Sequence, residues 1–317
     1  MPQRKPKAVR AKPSSTKAGA NQEKGAYVAP PENFPVAAYT SVTGVHTTLL
    51  AFTALFLPRT PVSFLTDAFP AARRAAENAS GTPRPSALHL LTSRPVRTLA
   101  WICAGTFIVQ LWWAGWVRNW SLELRRMAQS QGDAAQQAQD KLSRSQEKSQ
   151  QLKTLWVASI STLAASIAFY ILIVLFGAPI LSHPLHTYLL GFLVALLTTF
   201  TPVYIIGPPS LRSDTKSLVT RLTWIRLFAE LSPRTPIERA LVYPAAGALF
   251  GCWSGAIPIG LDWERPWQAW PLTPAYGAVA GYILGSLAAL VVSSVKYLAE
   301  ADTRLRRADV QQHAKSA

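Results

Sequence analysis

The chain contains six windows of about 20 residues without a single Lys, Arg, Asp or Glu, although it has 32 basic and 16 acidic residues. About 20 residues is the length that an α-helix needs to cross the hydrocarbon core of a bilayer. The alternating pattern of a membrane β-strand is absent from them, so helices are the expected spanning elements. The sequence therefore predicts an all-α, polytopic membrane protein with six transmembrane helices, at residues 39–57, 99–117, 155–177, 184–206, 240–259 and 275–295.

The Lys and Arg residues outside these spans are unevenly divided between the two sides of the membrane. The N-terminal tail, the segments 118–154 and 207–239 and the C-terminal tail together hold 25 of the 32, and the loops on the other side hold 7. Because positive charge is retained in the cytoplasm, both termini are predicted to be cytoplasmic. Basic residues beside membrane spans, without one continuous basic face, favour membrane lipids over nucleic acid as the partner.

Polar segments flank the predicted membrane domain, 39–295. Residues 1–38 are basic and Pro-rich, which predicts a disordered cytoplasmic tail. No signal-peptide pattern is visible in that tail, so the first span is expected to remain as an anchor. The Gln-rich loop 118–154 is predicted to be a cytoplasmic spacer that either extends the flanking helices or stays disordered, and residues 296–317 form a cytoplasmic tail.

Catalytic and metal-binding motifs are missing from the sequence: it has no nucleophile elbow, no phosphate-binding Gly-rich loop and no zinc-protease motif. The close pair His183 and His186 has Pro184 between its members and no third ligand nearby, which favours a plain helix start over a metal site. Cys103 and Cys252 fall in different spans and are predicted to be buried thiols. We therefore expect no catalytic residue, no metal and no cofactor.

The segment "LDWERPWQAW", residues 261–270, packs three tryptophans and three charged residues into one loop. Asp262 and Glu264 are two carboxylates separated by one residue, and such a pair can serve acid–base chemistry or bind a cation. An extended loop would send them to different sides, however, and the neighbouring Arg265 is close enough to neutralise one of them. Tryptophan is enriched at membrane interfaces, whereas a surface rich in Trp and Arg is also typical of an interaction hot spot. The residues predicted to bind a partner or a lipid headgroup are Asp262, Trp263, Glu264, Arg265, Pro266, Trp267, Gln268 and Trp270.

Glycines recur at every fourth position in the two spans that flank this loop. Such small-residue stripes let membrane helices approach closely, so they are expected to join these two spans to each other or to receive helices of another protein. The predicted packing residues are Gly247, Gly251, Gly255, Gly277, Gly281 and Gly285.

Three segments resemble a known family. "GCWSGAIPIGLDWERPWQAWP" (251–271) is similar to the signature of the phosphatidylinositol-glycan biosynthesis class F (PIG-F) proteins of glycosylphosphatidylinositol (GPI) anchor assembly, and it looks most like a fungal member. "VLFGAPILSHPLHTYLLGFLVALLTTFTPVY" (174–204) is similar to the central spans of that family, and "VHTTLLAF" (45–52) to its first. The resemblance covers the chain from about 39 to 295.

The resemblance implies a function that the residue spacing alone does not supply. Proteins of this family are multi-pass subunits of the endoplasmic reticulum membrane that stabilise the large GPI ethanolamine-phosphate transferases, whose own chains carry the catalytic metal site. This chain is thus expected to be a non-catalytic accessory subunit with "LDWERPWQAW" on the lumenal side. Two alternatives stay open: a protein that binds or presents the GPI precursor or phosphatidylethanolamine, and a small-molecule or lipid transporter. Charged residues inside the spans or paired broken helices would be typical of a transporter, and neither pattern is present in the sequence.

Two N-glycosylation sequons fall on opposite sides of the predicted membrane. Asn78 lies in the predicted lumenal loop between the first two spans, and Asn119 lies at the start of the cytoplasmic loop. Only Asn78 is therefore expected to be glycosylated.

Overall fold

The structure is a computed structural model that describes residues 35–59, 91–92, 94–129, 136–179, 182–210, 212–261, 263 and 265–316. Most of the predicted N-terminal tail and the sequon at Asn78 lie outside the described residues. The helices of ten residues or more within this part are α1 (Val36–Leu55), α2 (Pro95–Gln129), α3 (Gln136–Leu175), α4 (Pro184–Ile206), α5 (Thr215–Trp224), α6 (Pro236–Ala256) and α7 (Leu272–Ser316). Short 3-10 turns follow α1 and α6, at Leu57–Arg59 and Ile257–Leu261, and a third covers Pro266–Gln268.

Six of the described helices, all except α5, are long and apolar enough to cross a membrane. Each overlaps one of the predicted windows, and the described residues form no strand, so the predicted all-α, six-span fold is confirmed. Consecutive spans run in opposite directions. We call the end at which α1, α3 and α6 finish the tryptophan end, because it carries the loop 261–270. We call the opposite end, where α2, α4 and α7 finish, the basic end.

Three helices continue well beyond their predicted windows at the basic end. Helix α3 has 40 residues, which corresponds to about 60 Å, roughly twice the thickness of a bilayer core. Helix α2 continues to Gln129 and α7 to Ser316. In the Gln-rich loop 118–154, residues 118–129 and 136–154 therefore extend the flanking helices, which is one of the two alternatives that its composition allows.

Helix α4 changes to π geometry over Leu196–Phe200, two residues before Pro202. Pro202 lacks an N–H and its ring collides with the carbonyl of Thr198, four residues earlier, in a regular helix. A π turn widens the helix locally and relieves this collision. Thr201, which follows the turn, donates its hydroxyl to Oε1 of Gln110 on α2 at 2.9 Å.

Helix α5 and the π turn that follows it, Ile225–Ala229, were not predicted from the sequence. The indole N–H of Trp224 donates to the carbonyl of Gly207 at 2.9 Å, which fixes α5 to the end of α4. Arg226 makes two hydrogen bonds, of 3.0 and 2.6 Å, to the carboxylate of Glu238 in the first turn of α6. These bonds raise the pKa of Arg226 above its ordinary value. The segment is therefore tied to both spans that it connects.

The buried core lies where α1, α2, α4, α6 and α7 meet. It consists mainly of aliphatic side chains, among them Leu50, Leu99, Ile102, Leu190, Leu193, Leu197, Ala248 and Val279. Helix α3 lies at the edge of the bundle, since 17% of its spanning window is buried, against 67% for α4. Most of the α3 surface therefore faces outward from the bundle.

A polar and aromatic cluster lies inside the bundle, between α1, α2 and α7. The imidazole of His46 is fully buried, stacks on Trp113 at 4.4 Å between ring centroids and meets Tyr282 edge to face at 5.7 Å. The hydroxyl of Tyr282 donates to Oε1 of Gln110 at 3.4 Å, and the same oxygen accepts the Thr201 bond. Gln110 thus joins α2 to both α4 and α7 within the apolar core.

Candidate functional site

The loop 261–270 is positioned by the two helices that it joins, α6 and α7. A Cβ atom added to Gly247 would meet the carbonyl oxygen of Gly281 at less than 3.0 Å, and one added to Gly251 would meet that of Gly277 equally closely. Real Cβ atoms do not approach a backbone so closely, so only glycine fits at these positions. Gly255 and Gly285 make the same kind of approach, to Thr273 and to Tyr243. The two glycine stripes face each other, which is the hairpin arrangement.

Inside the loop, Gln268 uses both ends of its amide to hold the backbone. Its Oε1 accepts the backbone N–H of Arg265 at 2.8 Å, and its Nε2 donates to the carbonyl of Pro258 at 2.6 Å. The second bond joins the turn Pro266–Gln268 to the turn that ends α6. Gln268 therefore fixes the shape of the loop.

Trp270 attaches the loop to a third helix. Its indole N–H donates to Oγ1 of Thr187, a fully buried residue in the first turns of α4, at 3.1 Å. Its ring and Ala269 pack against the apolar core. The sequence did not identify Thr187 as part of the site, because nothing local marks a contact between residues 83 positions apart.

Most of the remaining described residues of the loop are exposed. Trp263 is 54% exposed, Arg265 and Pro266 are exposed, and Trp267 is half-buried. The rings of Trp263 and Trp267 meet edge to face, with their centroids 5.8 Å apart. Asp262 and Glu264, also predicted for this site, lie outside the described residues. The structure thus divides the predicted set into residues that hold the loop and residues that present aromatic and cationic surface.

An apolar crevice of about 540 Å³ opens beside the loop, between the hairpin α3–α4 and the hairpin α6–α7. Trp270 forms one wall of it at the tryptophan end, and Phe176, Cys252, Trp253 and Ala256 are among the other lining residues. The volume is within the range of about 300–1,000 Å³ that is usual for small-molecule sites. Its walls come from four helices that are separate in the sequence, so the residue pattern gives no signal for it.

The histidine pair lies close to the same end of the bundle. The ring centroids of His183 and His186 are 4.9 Å apart at the start of α4, where His186 directly precedes Thr187. In the part of the chain that the structure describes, no three His, Cys, Asp or Glu side chains are grouped closely enough to hold a metal ion. Cys103 and Cys252 are free thiols on different helices.

A comparison with protein families matches the chain over residues 84–290, more than half of its 317 residues, to a family described as "GPI biosynthesis protein family Pig-F". The matched region includes α2, α3, α4, α6 and the complete loop 261–270, together with the part of α7 up to residue 290. No solved structure matches the chain.

Curated relatives match a shorter part of the chain. A human protein named "GPI ethanolamine phosphate transferase, stabilizing subunit" is 33% identical over 123 residues, which are 39% of this chain and 51% of that protein. Two further relatives are named "Glycosylphosphatidylinositol anchor biosynthesis protein 11". The one from Neurospora crassa is 38% identical over 42% of this chain and 43% of that protein. The one from Pyricularia oryzae is 39% identical over 39% of this chain and 42% of that protein. The chain thus spans about half of the length of the curated relatives that it matches.

Proposed function

The chain belongs to the GPI biosynthesis protein family Pig-F, and from this membership we propose that it is a non-catalytic subunit that stabilises a GPI ethanolamine phosphate transferase. The observation that carries the proposal is the name of the human relative, which describes a stabilizing subunit of such a transferase. In this proposal the catalytic groups belong to a larger partner chain.

The proposed location is the endoplasmic reticulum membrane, with both termini in the cytoplasm. The excess of Lys and Arg at the basic end supports this orientation, because cytoplasmic segments retain positive charge. The loop 261–270 then faces the lumen, where the proposed partner would act.

We place the docking surface at Trp263, Arg265 and Trp267, together with their neighbours Asp262, Glu264 and Pro266. Trp and Arg are the residue types that contribute most to protein interfaces. The paired rings of Trp263 and Trp267 offer a broad aromatic surface, and the internal bonds of Gln268 and Trp270 hold it in place. A surface fixed in this way loses little conformational entropy when a partner binds.

Affinity purification of the full chain in mild detergent tests the proposed function. We expect a larger ethanolamine phosphate transferase chain to co-purify, and its abundance in the membrane to fall when this chain is depleted. A purification in which no transferase is found would contradict the subunit role.

The docking surface is tested separately by the double variant Arg265→Ala/Trp267→Ala. Loss of one hot-spot side chain costs about 2 kcal/mol or more, so we expect the affinity for the transferase to fall by at least about 30-fold. This chain's own abundance should change little, because neither side chain is buried in the bundle. Lys153→Ala/Trp156→Ala removes the same kinds of group from the exposed surface of α3 and is the matched control. Equal transferase recovery with both double variants would exclude the loop as the docking surface.

The apolar crevice favours a second candidate function, the binding and presentation of a lipid to the transferase. Its lining is almost entirely hydrocarbon, which suits an acyl chain, and its tryptophan end lies beside the loop, at the level expected for a headgroup. A lipid held here would have its headgroup beside the proposed docking surface.

Lipid retention by the purified protein tests this second function. Ala256→Phe places a bulky ring on the wall of the crevice, whereas Ala288→Phe adds the same ring to an exposed position of α7 that does not line it. We expect native mass spectrometry to find one phospholipid retained by the wild type and by Ala288→Phe, and about tenfold less retained by Ala256→Phe. A wild type that retains no lipid after the same washing would contradict the proposal.

A further inference from the structure

Helix α5 exposes an apolar face that no other described part of the chain covers. Leu218, Val219, Leu222 and Ile225 are 47%, 58%, 56% and 50% exposed, respectively. Leu218, Leu222 and Ile225 are spaced by four and three residues, so they form one stripe along the helix. The opposite side of the segment is covered, since Ser217 and Leu227 are buried. The segment is thus amphipathic, with its apolar stripe directed away from the bundle.

The position of this stripe is fixed relative to the membrane spans. The hydrogen bond from Trp224 attaches the C-terminal end of α5 to Gly207, the residue that follows α4. The ion pair of Arg226 with Glu238 attaches the same end to the first turn of α6. Both attachment points are ends of membrane-spanning helices at the basic end. The C-terminal end of α5 is therefore held at the ends of these spans, the level at which the core of a surrounding bilayer would meet the headgroups.

The segment that carries the stripe is basic. Apart from Arg226, which is paired with Glu238, residues 207–235 include four Lys or Arg residues and two acidic ones. Arg212 and Lys216 are exposed and Arg221 is half-buried beside Leu222. One of the acidic residues, Asp214, accepts the Ser217 hydroxyl at 2.6 Å and so has a partner at the start of the helix. Because the basic residues outnumber the acidic ones, the net charge of the segment is positive and suits the phosphates of anionic lipids.

We propose that α5 is an interfacial helix that inserts its Leu218–Leu222–Ile225 stripe into the leaflet at the basic end and binds the anionic phospholipids of that leaflet through Arg212, Lys216 and Arg221. A large apolar stripe bordered by Lys and Arg, on a helix too polar to span, is the pattern of helices that lie in the plane of the membrane surface. The long stems of Lys and Arg let their charges reach the phosphates while the stripe is buried. The binding surface belongs to the segment between the fourth and fifth spans and is independent of the loop 261–270.

Quenching by brominated lipids tests the depth of the helix. The experiment uses the full-length protein in nanodiscs, with Cys103 and Cys252 replaced by alanine. One variant carries a fluorescent label in the stripe, at Leu222→Cys, and the other carries it on the polar side, at Thr223→Cys. We expect dibromo-phosphatidylcholine to quench the label at 222 several-fold more than the label at 223. Equal quenching of both labels, or no quenching of the label at 222, would overturn the proposal. If the label at 222 is shielded by a co-purified protein, the stripe is a protein interface and the proposal is equally wrong.

Competition between brominated lipids tests the preference for anionic headgroups. The association constant of each lipid is obtained from its quenching of the label at position 222. We expect the constant for dibromo-phosphatidylserine to be several-fold larger than that for dibromo-phosphatidylcholine. In Lys216→Gln/Arg221→Gln the ratio of the two association constants should fall to about one. The control Lys296→Gln/Arg307→Gln removes two exposed cations from α7 and should leave the ratio unchanged. A ratio of one in the unmodified helix, or an equal fall in both double variants, would refute specific binding by α5.

Discussion

Replacing Gly281 by Ala is expected to destabilise the bundle by about 3 kcal/mol, at the upper end of the usual cost of overpacking. The added Cβ would overlap the carbonyl oxygen of Gly247 and lie 2.8 Å from the carbonyl carbon, where ordinary contacts are 3.4–4 Å. It would also lie 3.0 Å from the Cα of Gly251. These atoms belong to a helix backbone and cannot rotate away as a side chain does. Helices α6 and α7 must therefore separate by roughly 1 Å, which loosens the neighbouring glycine contacts as well.

The assay is reversible unfolding of the purified protein in mixed micelles, followed by the fluorescence of its tryptophans. Gly44→Ala in α1 and Gly115→Ala in α2 are matched controls, because a Cβ at either position meets nothing within 4 Å. Alanine is a better helix former than glycine, so these two variants should be neutral or more stable by up to about 1 kcal/mol. The difference between Gly281→Ala and the controls then isolates the cost of the close approach. If all three variants unfold at the same denaturant concentration, the glycine stripes do not hold the hairpin together.

Three further predictions concern the bundle interior and its orientation. His46→Phe should keep the stack on Trp113 and leave stability unchanged or raise it by about 1 kcal/mol, because neither imidazole nitrogen has a hydrogen-bond partner within the described part of the chain. In the same unfolding assay, Gln110→Leu should cost about 1–3 kcal/mol, since two buried hydroxyls lose their shared acceptor; an unchanged midpoint would contradict that role. A mobility shift on deglycosylation should disappear in Asn78→Gln and persist in Asn119→Gln, whereas a shift that depends on Asn119 would invert the proposed topology.

The spans were predictable because each one satisfies a condition that is local in the sequence. About 20 uncharged residues in a row are needed for one helix to cross a membrane, and no contact with the rest of the chain alters that need. The ends of the helices were less predictable. Polar residues can continue a helix into water, as in α2 and α3, and neither charge nor hydropathy marks where such an extension stops.

Helix α5 could not be predicted in the same way, because its apolar stripe has only three residues. Lys216, Thr220, Arg221 and Thr223 lie between them or beside them, so the segment lacks the uncharged run that identifies the spans. What holds it is tertiary: the indole bond to Gly207 and the ion pair with Glu238 come from outside the helix. An isolated helix of ten residues is marginal in water, and propensity alone would not form it.

The tryptophans of the loop 261–270 show why composition identified a candidate site and could not assign roles within it. Trp267 and Trp270 are three positions apart and chemically identical, yet Trp267 meets the exposed ring of Trp263 whereas Trp270 donates to Thr187 on α4. The distinction depends on where α4 begins in space, which the loop sequence does not contain. The glycine spacing has the same limit: it specifies a close helix contact without specifying which helix makes it.

The loop and the glycine hairpin beneath it also depend on each other physically. Gln268 and Trp270 fix the loop to the end of α6 and to α4, so Trp263 and Trp267 stay in place only while α6, α7 and α4 keep their relative positions. A change in the glycine stripe should therefore weaken partner binding although no glycine touches the proposed docking surface. This effect can be distinguished from loss of a contact, because Gly281→Ala should lower the protein's own stability and the transferase affinity together. Arg265→Ala/Trp267→Ala should lower only the affinity for the transferase. If Gly281→Ala makes the protein less stable but leaves that affinity unchanged, the loop keeps its shape without the hairpin.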